Sequence, residues 1–254
     1  MSTNDLAGKV AIVTGASRGI GAATVRLLAE RGVKVLLVAS SPEHLDRTTQ
    51  NLIDEGLQVA SIVADVGRYD DMAGAVSECL QYFGRLDILI NNAGTIKPIS
   101  HILDSNPVEW SRAIDVNLKG VYFMLRAALP QMISNGGGTV INLSSGAANH
   151  ALEGWSQYCA SKAALQRLNE SVHLELNSKN IYSIGLSPGT VATDMMQSIR
   201  DSGVNAVSQL DWSVHKTPED VAKAIAYLCG SEGHQYSGTE FSIKTEENRR
   251  LVGI

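Results

Sequence analysis

The chain has 254 residues, 44% apolar and 19% charged, which suits one large domain with a sizeable core and excludes a disordered tract. A net charge of −5, with no Lys/Arg-rich block, argues against nucleic acid or an anionic membrane as the main partner. The three cysteines (Cys79, Cys159 and Cys229) and six histidines show no disulfide or metal-ligand spacing, so no metal is expected and a reducing, cytoplasmic compartment fits.

Residues Met1–Lys9 lack the charged-then-apolar pattern of a signal peptide, and no apolar run approaches the ~20 residues of a membrane span. The first β-branched apolar run is Val10–Val13. Further runs follow at Val33–Val38, Val59–Val63, Leu86–Ile90, Thr139–Leu143 and Tyr182–Leu186, with a weaker one at Thr239–Ile243. Unbroken apolar runs of this length suit strands buried on both faces of a parallel sheet. Helix-period segments alternate with them. Ser41-Pro42, Asn106-Pro107 and Thr217-Pro218 pair an N-cap residue with Pro at the first helical position, and Thr217 with Asp220 approaches a capping box. Gly32, Gly56 and Gly84 stand where helices should stop. The pattern predicts a single α/β domain, doubly wound, with about seven parallel strands and helices on both faces. Residues 194–216 read as the least regular stretch, open to two readings: a mobile substrate lid or a plain surface loop.

Directly after the first strand comes Thr14-Gly15-Ala16-Ser17-Arg18-Gly19-Ile20-Gly21, then a helix. A strand that turns sharply into a helix, with glycines that let a pyrophosphate approach the helix N-terminus, suits a dinucleotide. An ordinary glycine-rich turn is the bland reading. An Asp or Glu at the end of the second strand would hold the ribose 2′-hydroxyl of NAD(H). Here Ala39-Ser40-Ser41 carries no acid before Glu43, and Arg18 could meet a 2′-phosphate unless it is merely solvated. NADP(H) is therefore preferred, with NAD(H) as the alternative.

Tyr158 and Lys162 lie four apart at the start of a helix, on one face. An ammonium beside a phenol lowers its pKa from about 10 and fits it for proton transfer. Ser145, thirteen residues earlier, closes a strand whose C-terminal edge should border the active-site crevice. His150 and Trp155 fall between them, where the loop could line a substrate pocket, although Trp155 could equally be a packing residue. Cys159 reads as a small buried hydrophobe.

From about Lys9 to Ile243 the sequence resembles the classical short-chain dehydrogenases/reductases. The matching motifs, in the family's order, are the TGxxxGxG turn at Thr14–Gly21, Asn91-Asn92-Ala93-Gly94, Asn117, Ser145, Tyr158 with Lys162, and Pro188-Gly189-Thr190-Val191-Ala192-Thr193. The resemblance implies a Rossmann domain that transfers a hydride between a nicotinamide cofactor and a small carbonyl or secondary alcohol. It implies Tyr158 as general acid/base, Lys162 as its modulator and a ribose ligand, Ser145 as the anchor of the substrate oxygen, and Asn117 as the holder of a relay water or a helix-kink hydrogen bond. Gly15, Ser17, Arg18, Gly19, Ile20 and Gly21 would cradle the pyrophosphate, with Ser40 near the ribose. Asp65 and Val66 would meet the adenine, Asn92 would lie along the cofactor or brace the fold, and Val191 and Thr193 would contact the carboxamide or pyrophosphate. A homotetramer or homodimer is implied as well, with the long helices after Asn106 and Gln157 at its contacts.

Three departures stand out. Ser187 replaces a frequent Asn, and Ser40 stands where many NADP-using members have Arg. The usual C-terminal Asp-Gly-Gly is replaced by Ile243-Lys244-Thr245-Glu246, which puts the packing of the tail in question. Two other functions compete. A catalytically silent nucleotide-binding scaffold would be expected to lose Ser145, Tyr158 or Lys162. An epimerase or dehydratase would need a larger C-terminal substrate domain than the chain after Gly189 allows.

Overall fold

In the computed structural model, residues 5–254 are described; residues 1–4 of the expected 1–254 domain lie outside them. Each apolar run becomes a strand: β1 Val10–Thr14, β2 Lys34–Ala39, β3 Val59–Val63, β4 Ile88–Asn91, β5 Gly138–Leu143, β6 Ile181–Ser187 and β7 Glu240–Ser242. The helices that follow β1 to β3 are α1 Gly19–Glu30, α2 Pro42–Asp54 and α3 Tyr69–Phe83. Between β4 and β5 lie α4 Pro107–Ile114 and α5 Gly120–Ser134, joined without a break by a π-helical segment, Asp115–Lys119. The long α6, Ser156–Leu176, precedes β6, and α7 Asp194–Ser202, α8 Pro218–Leu228 and α9 Glu246–Val252 complete the chain.

The seven strands form one parallel sheet in the order β3-β2-β1-β4-β5-β6-β7. The order reverses between β1 and β4, and such a switch point leaves a crevice beyond the carboxyl ends of the strands. All five residues of β1 are buried. Val13, Leu37, Ile90 and Ile184 pack into one apolar layer with α1 and α8. On the other face, Ile12, Leu36, Leu89 and Val140 meet α3 and α5.

The helix signals map onto real ends. Asn106 Oδ1 accepts from the Val108 and Glu109 N–H groups, and Thr217 with Asp220 forms the reciprocal capping box. Gly84 caps α3 in the left-handed region. Ser41 occupies its cap position without a side-chain bond. Residues 194–216 are more ordered than expected. They hold α7, capped by Thr193, and two short 3-10 turns at Ala206–Gln209 and Trp212–Val214. The irregular look of the sequence reflects these short turns. Among the described residues, no helix is long and apolar enough to cross a membrane.

Candidate active site

The crevice is a groove of about 600 Å³ along the ends of β1, β2 and β4, continuous past Tyr158 and Lys162. The glycine turn forms one wall. Gly15 has φ +63°, and a Cβ there would lie 2.9 Å from the Ala93 Cα and the Asn92 Nδ2. A Cβ on Gly21 would lie 2.2 Å from the Gly15 carbonyl oxygen, so helix α1 can start this close to β1 only with glycine there. The turn is tied down on three sides. Ala16 N–H donates to the Val38 carbonyl, Thr48 Oγ1 donates to the Ser17 carbonyl, and Asn92 Nδ2 donates to the Thr14 and Gly15 carbonyls at 2.9 and 3.1 Å. Asn92 thus braces the turn, the structural role left open above, while also lining the groove. The first turn of α1 carries no acidic residue, and its N-terminal N–H groups face the groove end of the turn, which fits an anionic pyrophosphate.

Most of the expected cofactor residues come together here: Gly15, Ser17, Arg18, Gly19, Ile20, Ser40, Asp65, Val66, Asn92, Tyr158, Lys162 and Thr193 all line the groove. Gly21 stands behind the wall, and Val191 lines the neighbouring pocket instead. Two groups are already engaged. Arg18 pairs with Asp194, the first residue of α7, at 3.1 Å with both side chains largely exposed. The Asp65 carboxylate accepts from Gly67 N–H and from Arg112 at 2.6 Å; burial acts against its charge, but these partners hold its pKa below the ordinary value. Arg112, Thr95, Ile96 and Lys97 also line the groove and were missed in the sequence. Ile96 and Lys97 follow the Asn91–Gly94 motif directly, which was the available signal. Arg112 gave none, because its contact with Asp65 spans 47 residues.

Asn117 sits in the π-helical segment, fully buried. Its Oδ1 accepts from Thr95 N–H and its Nδ2 donates to the Thr95 carbonyl, each at 2.8 Å. Both ends of the side chain join the helix to the loop after β4. The π turn itself opens the local helical ladder, a feature frequent at functional sites.

The three residues expected to be catalytic, Ser145, Tyr158 and Lys162, are positioned by β5 and α6. Lys162 is buried, its Nζ donates to the Leu143 carbonyl at 2.5 Å and lies 5.5 Å from the Tyr158 ring centroid. Burial pushes its pKa down to about 8. Tyr158 departs from expectation. Its pKa is raised, because burial outweighs a hydrogen bond with Ser145 that acts the other way, with Cys159 adding to the rise. The phenol is therefore held in its protonated form. Ser145 Oγ accepts from Ala147 N–H at 3.2 Å and directs its own hydrogen toward Tyr158, the sense that lowers the phenol's pKa.

Tyr158 also lines a second, apolar pocket of about 170 Å³, together with Ser145, His150, Trp155, Met196 and Ile199. Trp155 is buried there and meets the Tyr158 ring edge-on at 5.9 Å, so it is at once a packing and a pocket residue. Cys159 is half-buried at the edge of the same cluster. Helix α7 supplies Met195 to both cavities.

Residues 9–203 match the family model described as short chain dehydrogenase. The chain belongs to the short-chain dehydrogenases/reductases. An uncharacterized oxidoreductase of Staphylococcus saprophyticus is 34% identical over 244 residues, spanning 95% of this chain and 97% of that protein. The 3-oxoacyl-(acyl-carrier-protein) reductase of Staphylococcus aureus is 32% identical over 237 residues, 92% of this chain and 96% of its own length. The crystal structure of an NAD+-bound xylitol dehydrogenase superposes with a TM-score of 0.86 at 26% identity, covering 94% of this chain and 98% of that one. This family member is thus an NAD(P)-dependent oxidoreductase acting on CH–OH or C=O groups of small molecules, built on a single-domain Rossmann fold.

The depressed Lys162 pKa has a consequence for stability. A lysine that titrates near 8 folded and near 10.5 unfolded binds fewer protons in the native state between those values, so its contribution to stability rises with pH across that window. From pH 8 to 9 the gain should be about 1 kcal/mol relative to Lys162→Met. Denaturant unfolding of both proteins at the two pH values measures it. A constant difference between them would contradict the assignment.

Proposed function

We propose that this oxidoreductase prefers NADP(H) and interconverts a carbonyl compound and its secondary alcohol, with Tyr158 exchanging the proton at the substrate oxygen. The observation that supports this most is that Tyr158 lines both the dinucleotide groove and the apolar pocket, so one hydroxyl borders both cavities. A nicotinamide bound in the groove supplies or accepts the hydride.

The chain's own residues do the rest. The apolar pocket takes the substrate body and excludes water, and Ser145 holds the reacting oxygen by turning its hydroxyl hydrogen from Tyr158 to that oxygen. Tyr158, kept protonated by burial, donates its proton to that oxygen during reduction. The Lys162 ammonium, fixed by the Leu143 carbonyl, stabilises the phenolate left behind. Asn117, fixed by its two bonds to Thr95, is positioned to hold a water that refills the proton. Helix α7 walls both cavities, which supports residues 194–216 as the substrate lid.

Cofactor preference is a contest of charges. Ala39-Ser40-Ser41 offers no carboxylate to repel a 2′-phosphate, and Arg18 lines the same end of the groove. Asp194 already neutralises Arg18, but an exposed pair of this kind contributes only about 0–1 kcal/mol. A charge-assisted bond to a phosphate contributes ~1.5–3 kcal/mol and outcompetes it. A cytoplasmic homotetramer or homodimer completes the proposal. The exposed apolar side chains Val108 on α4, Tyr122 on α5 and Leu174 on α6 support it.

Tyr158→Phe should lower kcat by at least ~10²-fold while the NADPH dissociation constant stays within about twofold, since only a transferable proton is lost. Comparable turnover in the variant would remove Tyr158 from its role. Arg18→Ala should weaken NADPH binding about tenfold and leave NADH binding nearly unchanged. Fluorescence titration of both reduced cofactors reads this directly, and equal or tighter NADH binding by the unmutated protein would overturn the preference. Light scattering at micromolar concentration should give the mass of a dimer or tetramer; a stable monomer would refute the assembly.

A further inference from the structure

The tail that departs from the family pattern enters the substrate pocket. Lys244, just after β7, runs its stem beside Gly189 and ends over Gly146, the residue after Ser145. A Cβ on Gly146 would lie 2.7 Å from the Lys244 Nζ, and one on Gly189 would lie 3.6 Å from its Cγ. Two glycines thus make the channel in which the lysine lies, and its ammonium reaches the end of the pocket that holds Ser145. Among the residues lining this pocket, Lys244 is the one lysine or arginine; most of the others are apolar.

Among the described residues the ammonium has no carboxylate partner: none lies within 4 Å of Lys244, Lys216 or Arg249. These cations are neighbours. Arg249 donates to the Lys244 carbonyl at 2.6 Å, fixing the backbone from which the lysine projects, and Lys216 bridges to Val191 of the pocket wall. Lys216 has its pKa lowered, first by burial and then by Arg249 and Lys244, with Asp220 opposing. In a chain of net charge −5, a concentration of unpaired positive charge at one pocket mouth attracts anions there.

We propose that Lys244 selects substrates that carry a carboxylate on the side of the reacting carbonyl opposite their apolar body: oxo acids, or the matching hydroxy acids. This rests on the oxidoreductase reading above and adds the substrate class to it. The apolar body fills the pocket between Trp155 and Ile199, the carbonyl oxygen meets Ser145 and Tyr158, and the carboxylate pairs with the ammonium over Gly146. One ammonium balances one monoanion. Because Lys244 is partly solvated, the effect on affinity should be moderate, about tenfold or ~1.4 kcal/mol.

The test compares 4-oxo-4-phenylbutanoate with its methyl ester as substrates of the full-length protein with NADPH and with NADH. The ratio of kcat/KM, acid over ester, should exceed one and fall about tenfold in Lys244→Gln, fall further in Lys244→Glu, and survive in Lys244→Arg. A ratio unmoved by all three substitutions would overturn the proposal. Calorimetric titration with 3-phenylpropionate and 3-phenylpropanamide, with and without NADP+, reads the same selection in the absence of turnover. The carboxylate should bind more tightly than the amide, and Lys244→Gln should remove the difference. If neither ketone is reduced while the carboxylate preference persists and depends on Lys244, the oxidoreductase reading fails for such ketones and the anion site stands. Equal binding of the two ligands, unaffected by the substitution, would rule out the site.

Discussion

One hydroxyl holds the crevice together. Thr14, buried at the end of β1, donates to the Ile90 carbonyl of β4 and accepts from the Asn92 and Ala93 N–H groups. A parallel sheet cannot hydrogen-bond its strand ends once the chains diverge at a switch point, and the orphaned main-chain groups must find other partners. Thr14 and the Asn92 amide supply them. The position of the glycine turn relative to the loop after β4 follows from this junction, and with it the width of the groove. A threonine suits the position because it fits a strand and carries one donor and two acceptor sites.

The site then divides its demands between rigid and exposed parts. Lys162 and Asn117 are buried and already hydrogen-bonded to main-chain groups, so their geometry is set before any ligand arrives. Arg18 and Lys244 are exposed and carry the charges that meet ligands. Burial of Lys162 would be costly without a partner; the Leu143 carbonyl and the nearby phenol ring offset part of that cost. The same burial raises the Tyr158 pKa and keeps the phenol protonated.

The strands were legible because burial on both faces writes an unbroken apolar run, as in β1, whose five residues are all buried. The proximity of Ser145, Tyr158 and Lys162 was legible because they sit at fixed short spacings on one strand end and one helix. Long-range pairings were not. Nothing local marks Arg112 as the partner of Asp65, or Asp194 as the partner of Arg18, since the fold brings these pairs together from distant segments. Lys244 was read only as a departure in the tail. Its meaning depends on Gly146 and Gly189, whose missing side chains open its path. The Tyr158 pKa ran against expectation for a related reason: proximity of a charge can be read from spacing, whereas the extent of burial cannot.

The π-helical segment between α4 and α5 sets the rotational phase of everything after it. One extra residue in a helix corresponds to ~100° of rotation about its axis. The wide turn at Asp115–Lys119 lets α4 end on its own face and lets α5 begin with Val121, Met124, Leu125 and Ala128 turned into the core against α3. A stretch one residue shorter in ordinary helix would carry α5 at nearly the same phase, so the wide turn absorbs one extra residue while keeping that apolar face on the core and placing Asn117 beside the loop after β4.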